Sequence, residues 1–462
     1  MQYELRVSGK HFQKLQQHLF PGDGKEAVAI VLCGRYEKND ISILLTHKLE
    51  LIPHNECNRS MDNVIWKTER IVHLIEFAAN KNMAILKIHS HPGGYPKFSE
   101  IDDNSDYELF QSIFGWCDSD SVHASAVMLP DGKIFGRVFT PDLNVFPFDK
   151  ISVAGDTIGI WNLSTKSIVD EFSLRTIQAF GEGTYAKLKE LKIGVIGCSG
   201  TGSPTIEQLV RLGVGRLVII DPDRVEKKNL NRILNSKMHD AECGRSKVET
   251  LSMAIAEIGL GTKVIPFCTN LFDSRDALHE LITCDVIFGC VDSVDGRHLL
   301  SQLTNFYLIP FFDIGVRLDA DGKGGIENIY ASVNYIQPGC STLLTRGLYT
   351  TKRLFDDGLY RQDPKEFAKR EKAGYVHNAN VDRPAVISIN MQISSLAVIE
   401  LLNRIHSFKD DLSTKYAKVT MDYCDTCIIN ENEESFTQDV SSENWAGRGD
   451  CKPFLRMPEL ML

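Results

Sequence analysis

No stretch of the 462-residue chain stays apolar for the roughly 20 residues that a membrane-crossing helix needs. The N-terminal residues M-Q-Y-E-L-R also lack the apolar region of a signal peptide. No Lys/Arg block stands against the formal net charge of −10, which argues against broad binding to nucleic acid or to an anionic membrane. Tandem repeats and low-complexity tracts are absent as well. The twelve cysteines do not read as a disulfide framework: they are scattered, and Cys33, Cys198 and Cys290 sit in apolar runs like small buried hydrophobes. These absences predict a cytoplasmic protein. Hydrophobic residues make up 43% and charged residues 24%, as in ordinary globular chains, and the length exceeds one core, so two or three domains are expected.

Along the chain, buried strands are predicted at 26–33 and 41–46, an amphipathic helix over 63–80, and further strands at 83–88 and 123–129. The pattern loosens around 140–165, which suggests a domain edge, and a helix-like segment runs from Lys166 towards a strand at 192–197. From there strands and helices alternate: 193–196, 203–212, 217–221, 246–258, 264–266, 275–283 and 286–290. Such alternation predicts a doubly wound, mostly parallel sheet. Residues 346–380 read as charged and irregular, 385–405 as a strongly apolar helix, and the tail from about 429 as loosely ordered. The expected division is therefore 1–150, a linker with a dimer-contacting helical segment at 151–190, 191–428, and a tail at 429–462.

The stretch Lys87–Asp103, K-I-H-S-H-P-G-G-Y-P-K-F-S-E-I-D-D, carries the first chemical signal. In a strand, residues i and i+2 share a face, so His89 and His91 project together. After seven intervening residues Ser99 and Asp102 stand at i and i+3 of a helix start, where both can face one point. S-x-x-D alone is more often a helix capping box. Two imidazoles and a carboxylate, however, make a three-ligand zinc set that leaves the fourth position open, the catalytic arrangement. H-x-H, seven residues and S-x-x-D resembles the signature of the JAMM (JAB/MPN) zinc isopeptidases, a family of deaminase-like α/β fold. That resemblance implies Zn2+ on His89, His91 and Asp102, Ser99 donating to the developing oxyanion, and Glu26 in K-E-A-V-A-I-V-L-C-G as general base. The implied reaction is cleavage after the C-terminal glycine of a ubiquitin-like protein. Zinc deaminases would need H-x-E with P-C-x-x-C, which is missing.

The second signal is K-I-G-V-I-G-C-S-G-T-G at 192–202: a strand, then Gly197, Gly200 and Gly202, then a helix. Glycines there allow close backbone approach to phosphates at a helix N-terminus, although Ser199 takes the place of the usual second glycine. Asp221 ends the next strand, where it can accept from a ribose hydroxyl. The run D-P-D-R-V-E-K-K-N-L-N-R, then Lys247 and C-V-D at 290–292, resembles the ThiF/MoeB adenylating enzymes, to which ubiquitin-activating enzymes belong. By that resemblance ATP would meet Asp221 and Asp223, Asn229 and Arg232 would contact the triphosphate, Lys247 would bind phosphate, and Asp292 would hold Mg2+. L-R-T-I-Q-A-F-G resembles the family's R-Q-x-x-x-F-G element, so Arg175 would reach the ATP site of a second copy and a homodimer is implied. A carboxylate attacking the α-phosphate brings anion to anion, so cations and a metal are needed to neutralise the developing charge.

Two features depart from that family. The segment 346–385, with A-G-Y-V-H-N-A-N-V-D-R-P, offers no thioester cysteine, and Cys340 precedes it. Structural zinc in relatives uses two C-x-x-C pairs; here Cys424 and Cys427 supply one, while Thr342 and Thr345 stand where the other would fall. The expectation is a bifunctional enzyme of a bacterial ubiquitin-like system, of an antiphage-defence type. It would free the terminal glycine of a ubiquitin-like protein and adenylate its carboxylate, with a conjugating-enzyme-like protein as a candidate further partner. The alternatives are an NAD-dependent oxidoreductase and a scaffold with decayed sites.

Overall fold

The computed structural model describes residues 1–117, 120–162, 170–320, 325–372 and 386–460. The described chain forms two compact units, one of residues 1–165 with 305–308 and 443–461, the other built mainly from 166–304 and 309–442.

The N-terminal unit is a nine-stranded mixed sheet with helices. Its elements are β1 (Gln2–Ser8), α1 (Gly9–Leu19), β2 (Val28–Lys38), β3 (Ile41–Leu51), the two-residue ribbon β4 (Asn58–Arg59) and β5 (Val64–Ile65), α2 (Val72–Lys81), β6 (Ala84–Ser90), α3 (Glu100–Trp116), β7 (His123–Met128), β8 (Ile134–Phe139), β9 (Val145–Pro147), β10 (Lys150–Ala154) and β11 (Ile158–Asn162). The sheet order is β11-β10-β1-β3-β2-β6-β7-β8-β9. Two apolar clusters cover its two faces: Leu5, Ala29, Val31, Leu86 and Ile88 belong to one, Val28, Ile30, Leu32, Ile85 and Phe110 to the other. Alternate residues of β2 thus go to opposite faces, as a strand buried on both sides requires.

The second unit continues with α4 (Leu174–Glu190), β12 (Lys192–Ile196), α5 (Gly202–Arg211), β13 (Arg216–Ile220), β14 (Lys263–Phe267), β15 (Val286–Gly289), β16 (Phe311–Ala320), β17 (Ile326–Ile336), β18 (Lys418–Asp422) and β19 (Cys427–Glu431). Its order, β14-β13-β12-β15-β16-β17-β18-β19, starts with five parallel strands and ends with antiparallel ones. The parallel half runs third, second, first, fourth, fifth in chain order, so the direction of winding reverses between β12 and β15. That switch point is where doubly wound sheets open a ligand crevice at the carboxyl ends of the strands.

Several expectations give way. The helix expected over 63–80 begins only at Val72, because 64–65 pair with 58–59 in the ribbon and leave Ile65 exposed. Strands β10 and β11 extend the first sheet past residue 150, so the loosened pattern at 140–165 covers its two edge strands, β9 and β11, and β10 beside β11. The described part of 346–380, up to residue 372, holds two helices, Thr351–Gln362, capped by Thr350, and Pro364–Lys372. Their sparse apolar residues hid the period. The A-G-Y-V-H-N-A-N-V-D-R-P segment lies outside the described residues. The tail is ordered: β19 pairs with β18, Val440–Trp445 is helical, and Gly449 pairs with Arg35 of β2. Gly449 has φ +66, and a Cβ there would collide with the Arg35 backbone, so only glycine allows the approach. No helix among the described residues is long and apolar enough to cross a membrane.

Candidate metal centre and nucleotide loop

In the N-terminal unit, β6 delivers His89, and His91 follows where the chain leaves the strand. Both are buried, with their Nε2 atoms 3.1 Å apart. Asp102 enters from the first turn of α3: its Oδ1 is 2.9 Å from His89 Nε2 and its Oδ2 3.4 Å from His91 Nε2. Glu26 arrives just before β2, its Oε1 3.9 Å from His91 Nε2. Ligand atoms of Glu26, His89 and His91 all lie within 4.8 Å of one another. Register explains the meeting, since β2 pairs with β6 so that Val28 faces His89, while the Ala27 N–H donates to Ser90 Oγ and the Ser90 N–H to the Ala27 carbonyl.

The capping box of S-x-x-D forms, and the same carboxylate lies beside both histidines. Ser99 Oγ accepts from the Asp102 N–H, while Asp102 Oδ2 accepts from the Ser99 N–H and hydroxyl, each at 2.7 Å. The cap aims the other carboxylate oxygen at His89. Electrostatics follow the burial. Desolvation raises Glu26 to about 7, with His91 opposing and Asp102 reinforcing the rise. Burial would also raise Asp102, but hydrogen bonds from His89, His91 and Ser99 hold it well below the carboxylate range. Desolvation lowers His89; burial pulls His91 the same way, yet Asp102 and the Tyr95 carbonyl leave it raised.

These residues fit zinc. The two Nε2 atoms, 3.1 Å apart, are close to the roughly 3.3 Å edge of a tetrahedron of ligands about 2.0–2.1 Å from a zinc ion, and each has an Asp102 oxygen beside it, Oδ1 at 2.9 Å from His89 and Oδ2 at 3.4 Å from His91. His91 Nδ1 lies 2.8 Å from the Tyr95 carbonyl, an acceptor that fixes the proton on that nitrogen and leaves Nε2 bare for a metal. Sequence reading missed that carbonyl, because a backbone acceptor has no residue signature. It also missed Lys87: its Nζ lies 2.7 Å from Asp106 Oδ1, and Arg137 Nη2 lies 2.7 Å from the other Asp106 oxygen. Lys87 sits one strand repeat below His89 and Asp106 one helix turn beyond Asp102, so this buried pair repeats the His89–Asp102 contact one rung away. The K at the head of K-I-H-S-H, apolar-flanked and in phase with the histidines, was a usable signal.

In the second unit the glycine loop leaves β12 at the switch point. Gly197 has φ +90, and a Cβ there would strike the Cys290 carbonyl after β15; one on Gly202 would strike the Gly197 carbonyl. A Cβ on Gly200 would sit 2.5 Å from Asn390 Nδ2. Buried Asp221 closes the loop: its Oδ2 accepts from the Cys198 N–H at 2.7 Å and its Oδ1 from the Asp223 N–H at 2.9 Å. Burial raises the Asp221 pKa, against the pull of Lys247. Lys247 Nζ is 3.5 Å from Asp221 and 2.6 Å from Asp223. Asn229 is buried and caps its own turn by accepting from the Glu226 N–H, while Arg232 Nη1 donates to the Lys228 carbonyl at 3.1 Å. Asp292 is exposed just past β15. Arg175 is exposed on α4 and donates to Gln178. Loop, Asp221, Asp223 and Lys247 are therefore gathered by direct contacts, and Arg232 lies against Gly200, its Cδ 3.5 Å from a Cβ built there.

The model of the ThiF family matches residues 173–433. The chain belongs to the ThiF family. That membership accounts for the glycine loop without the oxidoreductase alternative. Residues 8–135 match the model for prokaryotic homologs of the JAB domain, so a JAB domain is fused to the ThiF domain in one chain. Among curated relatives, adenylyltransferase and sulfurtransferase MOCS3 of Drosophila ananassae is 35% identical over 145 residues, 31% of each protein. Ubiquitin-like modifier-activating enzyme 5 of Drosophila willistoni is 27% identical over 166 residues, 34% of this chain and 38% of that protein. The chain thus spans about a third of the length of the curated relatives it matches. The solved structure of E. coli MccB with MccA-N7isoASN aligns at a TM-score of 0.44 and 16% identity, over 62% of this chain and 77% of that one.

The two remaining expectations concern cysteines. Cys340 is buried at 5% exposure. Cys424 and Cys427 are exposed in the β18–β19 turn, and among the described residues the Glu26–His89–His91 group is the one cluster suited to a metal. Thr342 is occupied instead with Asp439, its Oγ1 donating at 2.9 Å, and Arg346 pairs with Glu433 at 2.7 Å. A hydrogen-bonded network fills the place where relatives were expected to carry cysteines.

Proposed function

We propose that the protein is a bifunctional enzyme acting on the C-terminus of a ubiquitin-like protein, within a bacterial modification system. Its JAB unit would hydrolyse a peptide or isopeptide bond after the terminal glycine. Its ThiF unit would adenylate the carboxylate so exposed. The observation that carries the reading is the convergence of Glu26, His89, His91 and Asp102 from three elements onto one point, in a chain that also carries a ThiF domain.

Zinc held by His89, His91 and Asp102 would supply Lewis-acid polarisation of the scissile carbonyl and acidify the attacking water. Glu26 takes the proton from that water at Oε1 and returns it to the leaving amine. The Ser99 hydroxyl donates to Asp102 Oδ2 and would exchange that partner for the developing oxyanion.

In the ThiF unit, ATP with Mg2+ would supply the electrophilic phosphorus. Gly197, Gly200 and Gly202 let backbone approach the phosphates, Lys247 and Arg232 balance their charge, and Asp292 is the exposed carboxylate available to the metal. Lys247 must exchange its Asp223 partner for phosphate when nucleotide enters. Arg175, exposed on α4, would serve a second copy in a homodimer. The test is ATP–pyrophosphate exchange with a candidate ubiquitin-like protein ending in glycine. Exchange is expected with wild type and lost in Asp292→Ala; no exchange, or full exchange in the variant, overturns the activating role.

A further inference from the structure

Glu26 stands at the end of a loop with no secondary structure of its own, in which Gly22 (φ +92) and Gly24 (φ +70) sit at positive φ. Such a segment does not hold a side chain still by itself. On its far side the Ala27–Ser90 hydrogen bonds fix it to the histidine strand. On its near side one guanidinium does most of the holding. Arg59 Nε donates to the Glu26 carbonyl at 2.6 Å, Nη2 to the Lys25 carbonyl at 3.0 Å, and Nη1 and Nη2 to the two oxygens of Asp23 at 2.8 and 3.1 Å. The Glu26 N–H donates to the carbonyl of Ser60, the next residue along. The Arg59 side chain is only 7% exposed. A planar fork that meets a carboxylate and two carbonyls at once fixes direction as well as distance, which a lysine does not reproduce.

We propose that Arg59 is the positioning residue for Glu26: by clamping residues 23–26 it sets where the Glu26 carboxylate stands relative to His91. This rests on the peptidase reading of the JAB unit. Arg59 belongs to β4 of the two-residue ribbon, so that ribbon acts as the outer buttress of the base while β6 is the inner one. The hydrogen bonds of the Arg59 guanidinium go to residues 23, 25 and 26, so it would act on the metal site through Glu26. Misplacement of a reacting group by about 1 Å costs on the order of 100-fold in rate.

The test uses the zinc-loaded full chain and a fluorogenic coumarin amide of a peptide ending in Gly-Gly. Arg59→Ala is expected to lower kcat about 30- to 100-fold, with KM within about twofold and zinc affinity by chelator competition unchanged. Amide exchange at residues 24–27 should rise about tenfold while residues 86–90 keep their protection, and Arg59→Lys should recover part of kcat. Glu26→Gln separates the two claims. Full activity in Glu26→Gln sinks the base assignment, and with it the clamp's purpose; an inactive Glu26→Gln beside a fully active Arg59→Ala sinks the Arg59 inference alone. A fall in zinc affinity or melting temperature that parallels the loss of kcat in Arg59→Ala makes the residue merely structural and overturns it. Unchanged exchange at 24–27 in Arg59→Ala overturns it whatever the rate on the peptide.

Discussion

Replacing Asp106 with Asn removes one charge from a place where water cannot compensate. Asp106 has no exposed surface and Lys87 is 4% exposed, while Arg137 holds the second carboxylate oxygen. Breaking a buried pair by removing one partner costs about 3–5 kcal/mol, because the other charge stays buried and uncompensated. In a unit built mainly from residues 1–165, each kcal/mol is worth roughly 2–4 °C in melting temperature, so the N-terminal transition should fall by about 6–20 °C. Differential scanning calorimetry of the full chain reads this directly, with the ThiF transition as internal control. The double variant Asp106→Leu with Lys87→Met should recover part of the loss, since an apolar pair can replace a buried ion pair at little cost while Arg137 keeps its pairing with Asp103. The pH dependence has a fixed sign. Burial would raise Asp106, but Lys87 and Arg137 override it and hold its folded pKa below the ordinary value. Its contribution is therefore complete above about 3.9, the ordinary aspartate pKa, and fades as pH falls through the lower folded value. A shift under about 2 °C for Asp106→Asn, or a double variant worse than the single one, refutes the reasoning.

Two other outcomes concern the second unit. Gly202→Ala should unfold or strongly destabilise it, because the new Cβ meets backbone, whereas Gly200→Ala meets a side-chain amide of Asn390 that can move. Gly200→Ala should therefore melt within a few degrees of wild type and still lose nucleotide affinity; equal melting of the two variants contradicts this. Iodoacetamide on the native protein should alkylate Cys424 and Cys427 rapidly and spare Cys340, as mass spectrometry of tryptic peptides would show, and fast labelling of Cys340 would reopen it as a thioester site.

Much of both sites was legible because their spacing is local. His89 and His91 are two apart on a strand, Ser99 and Asp102 are three apart at a helix start, and the glycines lie within six residues after β12. In each case backbone geometry turns spacing into direction. The illegible parts are long-range or made by backbone. Arg59 meets Asp23 across 36 positions, two of its acceptors are carbonyls, and nothing in N-R-S marks it. Strand β1, Q-Y-E-L-R-V-S, buries Glu4 and Arg6 as well as Leu5 and Val7, because β3 and β10 flank it and Lys150 reaches Glu4 at 3.1 Å, so no simple alternation announces it. The tail G-R-G-D looked loose for its polarity, yet its glycines are there to bring backbone against backbone at Thr46 and Arg35. Asp221 Oδ2 already holds the glycine loop at Cys198 and its Oδ1 the following turn at Asp223, a role that position at a strand end does not reveal.

Metal analysis of the purified chain bears most directly on the account. His89, His91 and Asp102 beside Glu26, with no second metal-capable group at Cys424 and Cys427 among the described residues, predict one zinc per chain, lost when His89 and His91 are both changed to Ala and retained in Glu26→Gln. No zinc in wild type, or zinc that stays in the double histidine variant, would contradict it.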